Sequence, residues 1–204
     1  MQIVLATNNA HKKQEIEHIF SNFDIQLKIL KDFPGMPEVI EDEYTFRENA
    51  IKKATEVSNF TGKIALADDS GLVVEALDGM PGIFSARFAG KKCSYEDNNK
   101  KLLSLLKDYP LDKQRKAKFI CVMALAFKNK ILYITRGECK GIIAHQLSGK
   151  NGFGYDPIFY LPKYKKTFAE IEAGLKNKIS HRAQALKGIV KFLQSNNINS
   201  LNIN

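Results

Sequence analysis

A chain of 204 residues, 44% apolar and 26% charged, has the composition of a single globular domain, at most two lobes on one sheet, and is long enough to bury a core without disulfides. Its 31 lysines and arginines against 22 acids leave a net charge of +9, and the asymmetry of that charge along the chain suggests a nucleic-acid surface or a cationic pocket for a polyanionic small molecule, with a Lys-rich composition of solvated side chains as the plain alternative. No apolar run suits a membrane span, the N-terminus MQIVLATNN lacks a secretion signal, and Cys93, Cys121 and Cys139 form no CxxC pair, so membrane insertion, export, a disulfide framework and a structural zinc are disfavoured and a cytoplasmic location is expected.

Gln2–Ala6 reads as a short buried strand, followed by Thr7-Asn8-Asn9 and a helix in which Ile16, Ile19 and Phe20 recur at helical spacing. Ile25–Leu30 alternates like a strand, and the stretch onward to Glu43, with Pro34, Gly35 and Pro37, reads as loop. Thr45-Phe-Arg-Glu48 is a capping box that opens a second helix, to about Asn59. Ile64–Ala67 and Leu72–Glu75 look like two strand pieces broken by Asp68-Asp69-Ser70-Gly71. Ser94-Tyr-Glu-Asp97 starts a third helix, with Leu102, Leu103, Leu105 and Leu106 as its apolar side. Ala117–Phe127 and Ile131–Cys139 flank a short turn and predict a hairpin. Beyond Gly141–Ala144 and a glycine-punctuated loop, Gly149–Gly154, a last helix from Ser180 carries the stripe Leu186, Ile189, Val190 and Leu193. The Asn-rich end, Asn196–Asn204, is expected to fray. Alternating helices and strands plus a long hairpin predict an α/β fold on a mixed sheet.

Three clusters could carry chemistry. His11, Lys12 and Lys13 stand in the first turn of a helix, where the macrodipole favours anions; a phosphate held by the turn's amides, Thr7, Asn9 and Lys12 resolves that conflict, although exposed lysines on a tolerant surface are an equally ordinary reading. No GxxxxGK[ST] motif is present, which disfavours a P-loop enzyme. Glu38, Glu41, Asp42 and Glu43 in one loop, with Asp68 and Asp69 between apolar strand pieces, form the acidic cluster. Adjacent strand residues face opposite ways, so Asp68 and Asp69 should not both enter one site; the few carboxylates favour Mg²⁺, with a capped turn as the plain alternative. Phe153-Gly154-Tyr155-Asp156, with His181-Arg182 downstream, can stack on a base and donate to a carbonyl edge, or can be core and helix cap.

Taken together, Thr7–Lys12 (TNNAHK), Thr45–Ala54 (TFRENAIKKA), Ala65–Leu72 (ALADDSGL), Gly79–Gly90 (GMPGIFSARFAG), Gly152–Phe159 (GFGYDPIF) and Ser180–Leu186 (SHRAQAL) resemble, in order and over nearly the whole chain, the inosine/xanthosine triphosphate pyrophosphatase family. Phe84 and Phe88 stand where that family is expected to carry tyrosines. The resemblance implies one domain over residues 1–204, an elongated two-lobed α/β fold on a long curved mixed sheet with a central nucleotide cleft, and a homodimer. It also implies Mg²⁺-dependent hydrolysis of ITP, dITP or XTP to the monophosphate and pyrophosphate. By position, Asp69 is implied as metal ligand and water-activating base, Glu41 as the second acid at the metal, and Lys12 and Lys53 as phosphate ligands. Phe153 is implied to stack on the base, with Gly154, Tyr155, Asp156, Lys176, His181 and Arg182 at the nucleoside end. Ser70 and the turn Thr7, Asn8, Asn9, Ala10, His11 complete the pocket. Charge agrees with this division: residues 1–68 sum to −3 and supply acids, residues 139–204 sum to +7 and supply cations.

Two rivals belong to other classes. A basic nucleic-acid binding module fits the pI near 9.3, but the basic residues are dispersed and no binding motif stands among them. A non-catalytic nucleotide sensor would have no use for both Glu41 and Asp69. The expected partner is therefore a purine nucleoside triphosphate rather than nucleic acid or membrane.

Overall fold

The computed structural model describes residues 1–21 and 23–195, so the Asn-rich end lies outside the described residues. One seven-stranded mixed sheet has the order β2-β1-β3-β4-β5-β6-β7. Its strands are β1 (Gln2–Leu5), β2 (Gln26–Ile29), β3 (Ile64–Val74), β4 (Lys116–Phe127), β5 (Lys130–Ile143), β6 (Phe159–Leu161) and β7 (Lys166–Thr167). The helices are α1 (Ala10–Phe20), α2 (Phe46–Thr61), α3 (Tyr95–Leu105), α4 (Ala173–Ile179) and α5 (His181–Ser195). β1 runs parallel to both β2 and β3, an arrangement that requires crossovers, and α1 and α2 lie in those connections. The β5–β6 and β6–β7 pairs are antiparallel.

Local signals place the helix starts well. Thr45 Oγ1 accepts the Glu48 amide at 3.1 Å, and Ser94 Oγ accepts the Asp97 amide at 3.1 Å, so both N-caps open helices where expected; the Asp97 carboxylate returns the bond to the Ser94 amide, whereas Glu48 instead accepts from the Thr45 hydroxyl. β4 and β5 are neighbours joined through Lys128-Asn129, with Lys128 in the left-handed region at φ 52°. Three expectations change. Asp68-Asp69-Ser70-Gly71 does not break the chain; β3 runs through it as one eleven-residue strand. Leu105 is exposed, whereas Leu102 and Leu106, four apart, are buried. A separate helix, α4, precedes the last one, and Ser180 is its C-cap rather than the first residue of α5.

The chain forms two compact units. The first comprises, among the described residues, Met1–Asp69, Cys121–Gly137 and His181–Ser195. Its core joins Ile3 and Leu5 of β1, Ile16 and Phe20 of α1, Leu66 of β3, Met123 of β4, and Leu186 and Ile189 of α5. The second comprises Ser70–Ile120 and Glu138–Ser180, around Leu72, Leu102, Leu106 and Phe119 with Phe159 and Phe168. Phe159 lies 4.6 Å from Phe119 and 5.0 Å from Phe168, centroid to centroid, in tilted contacts. Burying each such ring is worth roughly 1.5–3 kcal/mol.

Candidate active site

Adjacent residues on β3 have opposite surroundings, as their pleat dictates. Asp68 is buried and its Oδ2 accepts from Lys12 Nζ at 2.9 Å and from Arg182 Nη2 at 3.1 Å. Arg182 is itself buried, and its Nη1 meets Glu15 Oε2 at 2.5 Å. Burial alone pushes the Asp68 carboxyl up, but Lys12, Arg182 and Lys53 outweigh it and hold the group well below the usual carboxylate range. The same cluster holds the Arg182 guanidinium above its ordinary value despite burial, through Asp68 and Glu15. Gly137 on β5 makes this arrangement possible: a Cβ there would stand 2.1 Å from the His181 carbonyl oxygen, so only glycine lets the start of α5 approach the strand.

Asp69 has a different hydrogen-bond partner, although the charges of Lys53 and Lys12 act on both acids. It is 5% exposed, and its Oδ2 accepts from Asn49 Nδ2 at 3.0 Å. Burial raises its carboxyl, opposed by Lys53 and supported by the charge of Glu41, and the group is pushed up to about 6. Lys53, on the same face of α2 as Asn49 and one turn on, donates to Glu41 Oε1 at 2.5 Å and to the Asp68 carbonyl oxygen at 2.6 Å. Burial pulls the Lys53 ammonium down, but Asp68, Glu41 and Asp69 more than compensate and keep it charged. The acidic loop is fastened to α2 a second time where Lys52 pairs with Asp42. Lys53 thus pairs directly with Glu41, while its charge also acts on Asp69. Among the described residues no three of His, Cys, Asp and Glu gather to hold a metal ion.

At the junction before α1, Asn9 is the N-cap: its Oδ1 accepts from the amides of His11 and Lys12 at 3.0 and 3.2 Å. The expectation that these amides are free to hold a phosphate is corrected by that cap. Thr7 Oγ1 accepts the Asn9 amide at 3.2 Å, while Asn8, Ala10 and His11 are exposed.

Within the second unit, Asp156 organises the loop before β6. Its Oδ2 accepts the Phe153 amide at 2.8 Å and Lys176 Nζ at 2.6 Å, and both charged groups are buried. Lys176 Nζ lies 4.8 Å from the Phe153 ring centroid, so one partner of the ion pair also attracts the ring. Gly152 has φ +76°, and a Cβ there would stand 2.0 Å from Asp156 Oδ2, so the close turn around that carboxylate requires glycine. Tyr155 is buried and donates from its hydroxyl to the Ser85 carbonyl oxygen at 2.9 Å; Asn99 Nδ2 donates to the Gly154 carbonyl oxygen at 3.0 Å. Ser70, half-buried, follows Asp69 on β3.

Of the residues singled out in the sequence, Lys12 and Arg182 meet on Asp68, while Glu41, Lys53 and Asp69 form a second group together with Asn49. Phe153, Asp156 and Lys176 form a third. His181 is buried at the start of α5. Sequence reasoning missed Glu15 and Asn49. Asn49 lies within the segment Thr45–Ala54, and an asparagine inside a helix, where it is a poor former, is a signal that could have marked it.

The site is that of a mixed-sheet α/β protein in which acids of β3 meet lysines of α1 and α2, a charge arrangement suited to a polyanionic ligand. Comparison with known proteins narrows the class: the Ham1 family model matches residues 3–192, and the chain belongs to that family. It is 50% identical over 193 residues to a dITP/XTP pyrophosphatase of Desulforamulus reducens, covering 95% of this chain and 96% of that one. Among solved structures it is similar to a HAM1 protein from Coxiella burnetii, with TM-score 0.88, 41% identity and coverage of 96% and 99% of the two chains. A nucleoside-triphosphatase / dITP/XTP pyrophosphatase from Mycobacterium abscessus superposes with TM-score 0.76 at 38% identity, over 93% and 99% of the two chains.

Proposed function

We propose that this protein is a Mg²⁺-dependent nucleoside-triphosphate pyrophosphatase. It hydrolyses ITP, dITP and XTP between the α- and β-phosphates to the monophosphate and pyrophosphate, and so clears deaminated purine nucleotides from the precursor pool. One observation carries the reading: Asp69, pushed up to about 6 by burial, sits with Glu41 around Lys53, while its neighbour Asp68 is committed to Lys12 and Arg182. A carboxyl titrating there is suited to take a proton at neutral pH. Membership of the Ham1 family and the relatives named dITP/XTP pyrophosphatase support the same conclusion.

The residues present fit Mg²⁺. The charge of Glu41 helps raise Asp69, so the two acids repel one another, and a hard dication is held by one or two carboxylates with phosphate oxygens and waters completing the shell. When bound, Mg²⁺ supplies charge screening on the phosphates and a lowered pKa for the attacking water. Asp69 would accept a proton from a water whose oxygen bonds to the α-phosphorus, as the bond from that phosphorus to the bridging oxygen breaks and its electron pair leaves with pyrophosphate. Lys12 and Lys53 offset the phosphate charge, with Thr7, Asn8, Asn9, Ala10, His11 and Ser70 alongside.

Phe153 stacks on the base, held in orientation by Asp156 and Lys176, while Gly154, Tyr155 and His181 complete the nucleoside end. Hypoxanthine and xanthine carry a carbonyl at the six position, where adenine carries an amino donor. Arg182 can only donate, and an unpaired buried donor costs about 1–3 kcal/mol. In this reading Arg182 reaches the base by sharing or exchanging Asp68 and Glu15. Guanine has the same carbonyl, so rejection of GTP falls to another contact, at the two-amino position. The protein acts in the cytoplasm, as free thiols at Cys93, Cys121 and Cys139 favour, and as a homodimer, as the family resemblance implies.

The test is a panel of ITP, dITP, XTP, ATP and GTP with Mg²⁺, with products separated. Monophosphate and pyrophosphate from the first three, well ahead of ATP and GTP, is the expected result. Free phosphate with a nucleoside diphosphate, or no turnover, overturns the reading.

A further inference from the structure

Asn49 is 2% exposed, in the first turns of α2, where a buried side-chain amide is costly unless both of its ends are used. Both are. Nδ2 donates to Asp69 Oδ2 at 3.0 Å, and Oδ1 accepts the Glu43 amide at 3.1 Å. Asp69 belongs to β3, whereas Glu43 lies two residues beyond Glu41 in the acidic loop. A single neutral side chain therefore ties together the two segments that carry the acids.

Lys53, four residues along α2, cannot do the same work. It offers charge, and its donors go to Glu41 Oε1 and the Asp68 carbonyl oxygen. Asn49 offers direction without charge: a donor fixes one carboxylate oxygen of Asp69, and an acceptor fixes the backbone beside Glu41. A leucine of similar size keeps the packing but loses both bonds, leaving the loop held to α2 only through the Lys52 and Lys53 pairs and no longer tied to the Asp69 carboxylate.

We propose that Asn49 is a positioning residue. It sets Asp69 and the Glu41 loop in register so that both acids can hold one divalent cation. This rests on the metal assignment made above, and the experiment separates the two. Mn²⁺ alone is titrated into the full-length wild type, Asn49→Leu and Asp69→Asn, with bound ion followed by electron paramagnetic resonance and folding by circular dichroism. Groups that orient metal ligands typically change affinity by roughly 10–100-fold, so Asn49→Leu is expected to weaken Mn²⁺ at least about tenfold.

The wild type also carries the test without any substitution. In an NMR titration with Mg²⁺, the Asn49 side-chain amide and the Glu43 backbone amide should shift together with one midpoint, so a poorly folded variant does not leave the proposal unexamined. Loss of Mn²⁺ affinity in a folded Asn49→Leu protein, with concerted shifts in the wild type, supports the proposal. If Asp69→Asn loses the ion while Asn49→Leu binds within twofold of the wild type, or if neither amide shifts, the proposal falls and the metal assignment stands. If the wild type binds no ion, or Asp69→Asn binds it unchanged, the metal assignment falls and this inference with it.

Discussion

Replacing Asp69 by Asn should make the protein more stable at neutral pH while removing its activity. Burial moves the carboxyl from 3.8 to about 6 in the folded protein. The folded state thus binds this proton more tightly than the unfolded chain, and the group's contribution to stability falls as pH rises between those two values. A difference of about two units corresponds to about 3 kcal/mol at 1.36 kcal/mol per unit, the cost of keeping the charge buried above pH 6. Asparagine has no such charge, and its side-chain oxygen can still accept from Asn49. The gain should be near 3 kcal/mol at pH 7.5 and under about 1 kcal/mol by pH 4, where the wild-type carboxyl is mostly protonated. For a chain of this size that is a rise in Tm of roughly 6–12 °C. Thermal unfolding of both proteins at the two pH values, with chelator present, measures it. A variant no more stable than the wild type at pH 7.5, or one whose advantage persists undiminished at pH 4, refutes the reasoning.

The neighbouring substitution should act in the opposite direction. Asp68→Asn leaves Arg182 and Lys12 without their shared carboxylate, and removing one partner of a buried ion pair costs about 3–5 kcal/mol, measurable by urea denaturation; an unchanged midpoint contradicts it. Phe153→Ala should raise KM for ITP by the factor that roughly 1–3 kcal/mol of base stacking represents, while Phe153→Tyr stays close to wild type; equal KM in all three proteins removes the stacking role. Arg182→Ala should narrow the kcat/KM ratio of ITP over ATP by roughly tenfold, from the loss of a donor worth about 1–3 kcal/mol, and an unchanged ratio ends its role at the base.

Much of the fold was legible because it depends on local rules. Thr45 and Ser94 announce helices through side chains that reach three residues along, and the hairpin at Lys128-Asn129 is written in two adjacent β-rich runs. Asp68-Asp69 misled for a physical reason. Two consecutive acids look like a break in a strand until their partners are known, and Arg182 lies 114 residues away from Asp68 in the chain. With Asp68 neutralised by Lys12 and Arg182, and Asp69 hydrogen-bonded to Asn49, the strand continues. Alternation did anticipate that the two carboxylates would differ, though not which partners each would have. Glu15 and Asn49 escaped notice because their meaning comes from residues brought near by the fold: Arg182 for one, Asp69 and the Glu43 amide for the other. Leu105 shows the same limit on a smaller scale, since its apolar side chain sits one position off the buried pair Leu102 and Leu106.

The most direct trial of Asp69 as the water-activating base is a single-turnover comparison of wild type and Asp69→Asn on ITP with saturating Mg²⁺. Wild type should yield IMP and pyrophosphate in equal amounts, and the folded variant should be slower by at least about 10²-fold, the low end for loss of a general base. A variant that turns over near the wild-type rate, or wild-type products containing free phosphate instead of pyrophosphate, would contradict the account.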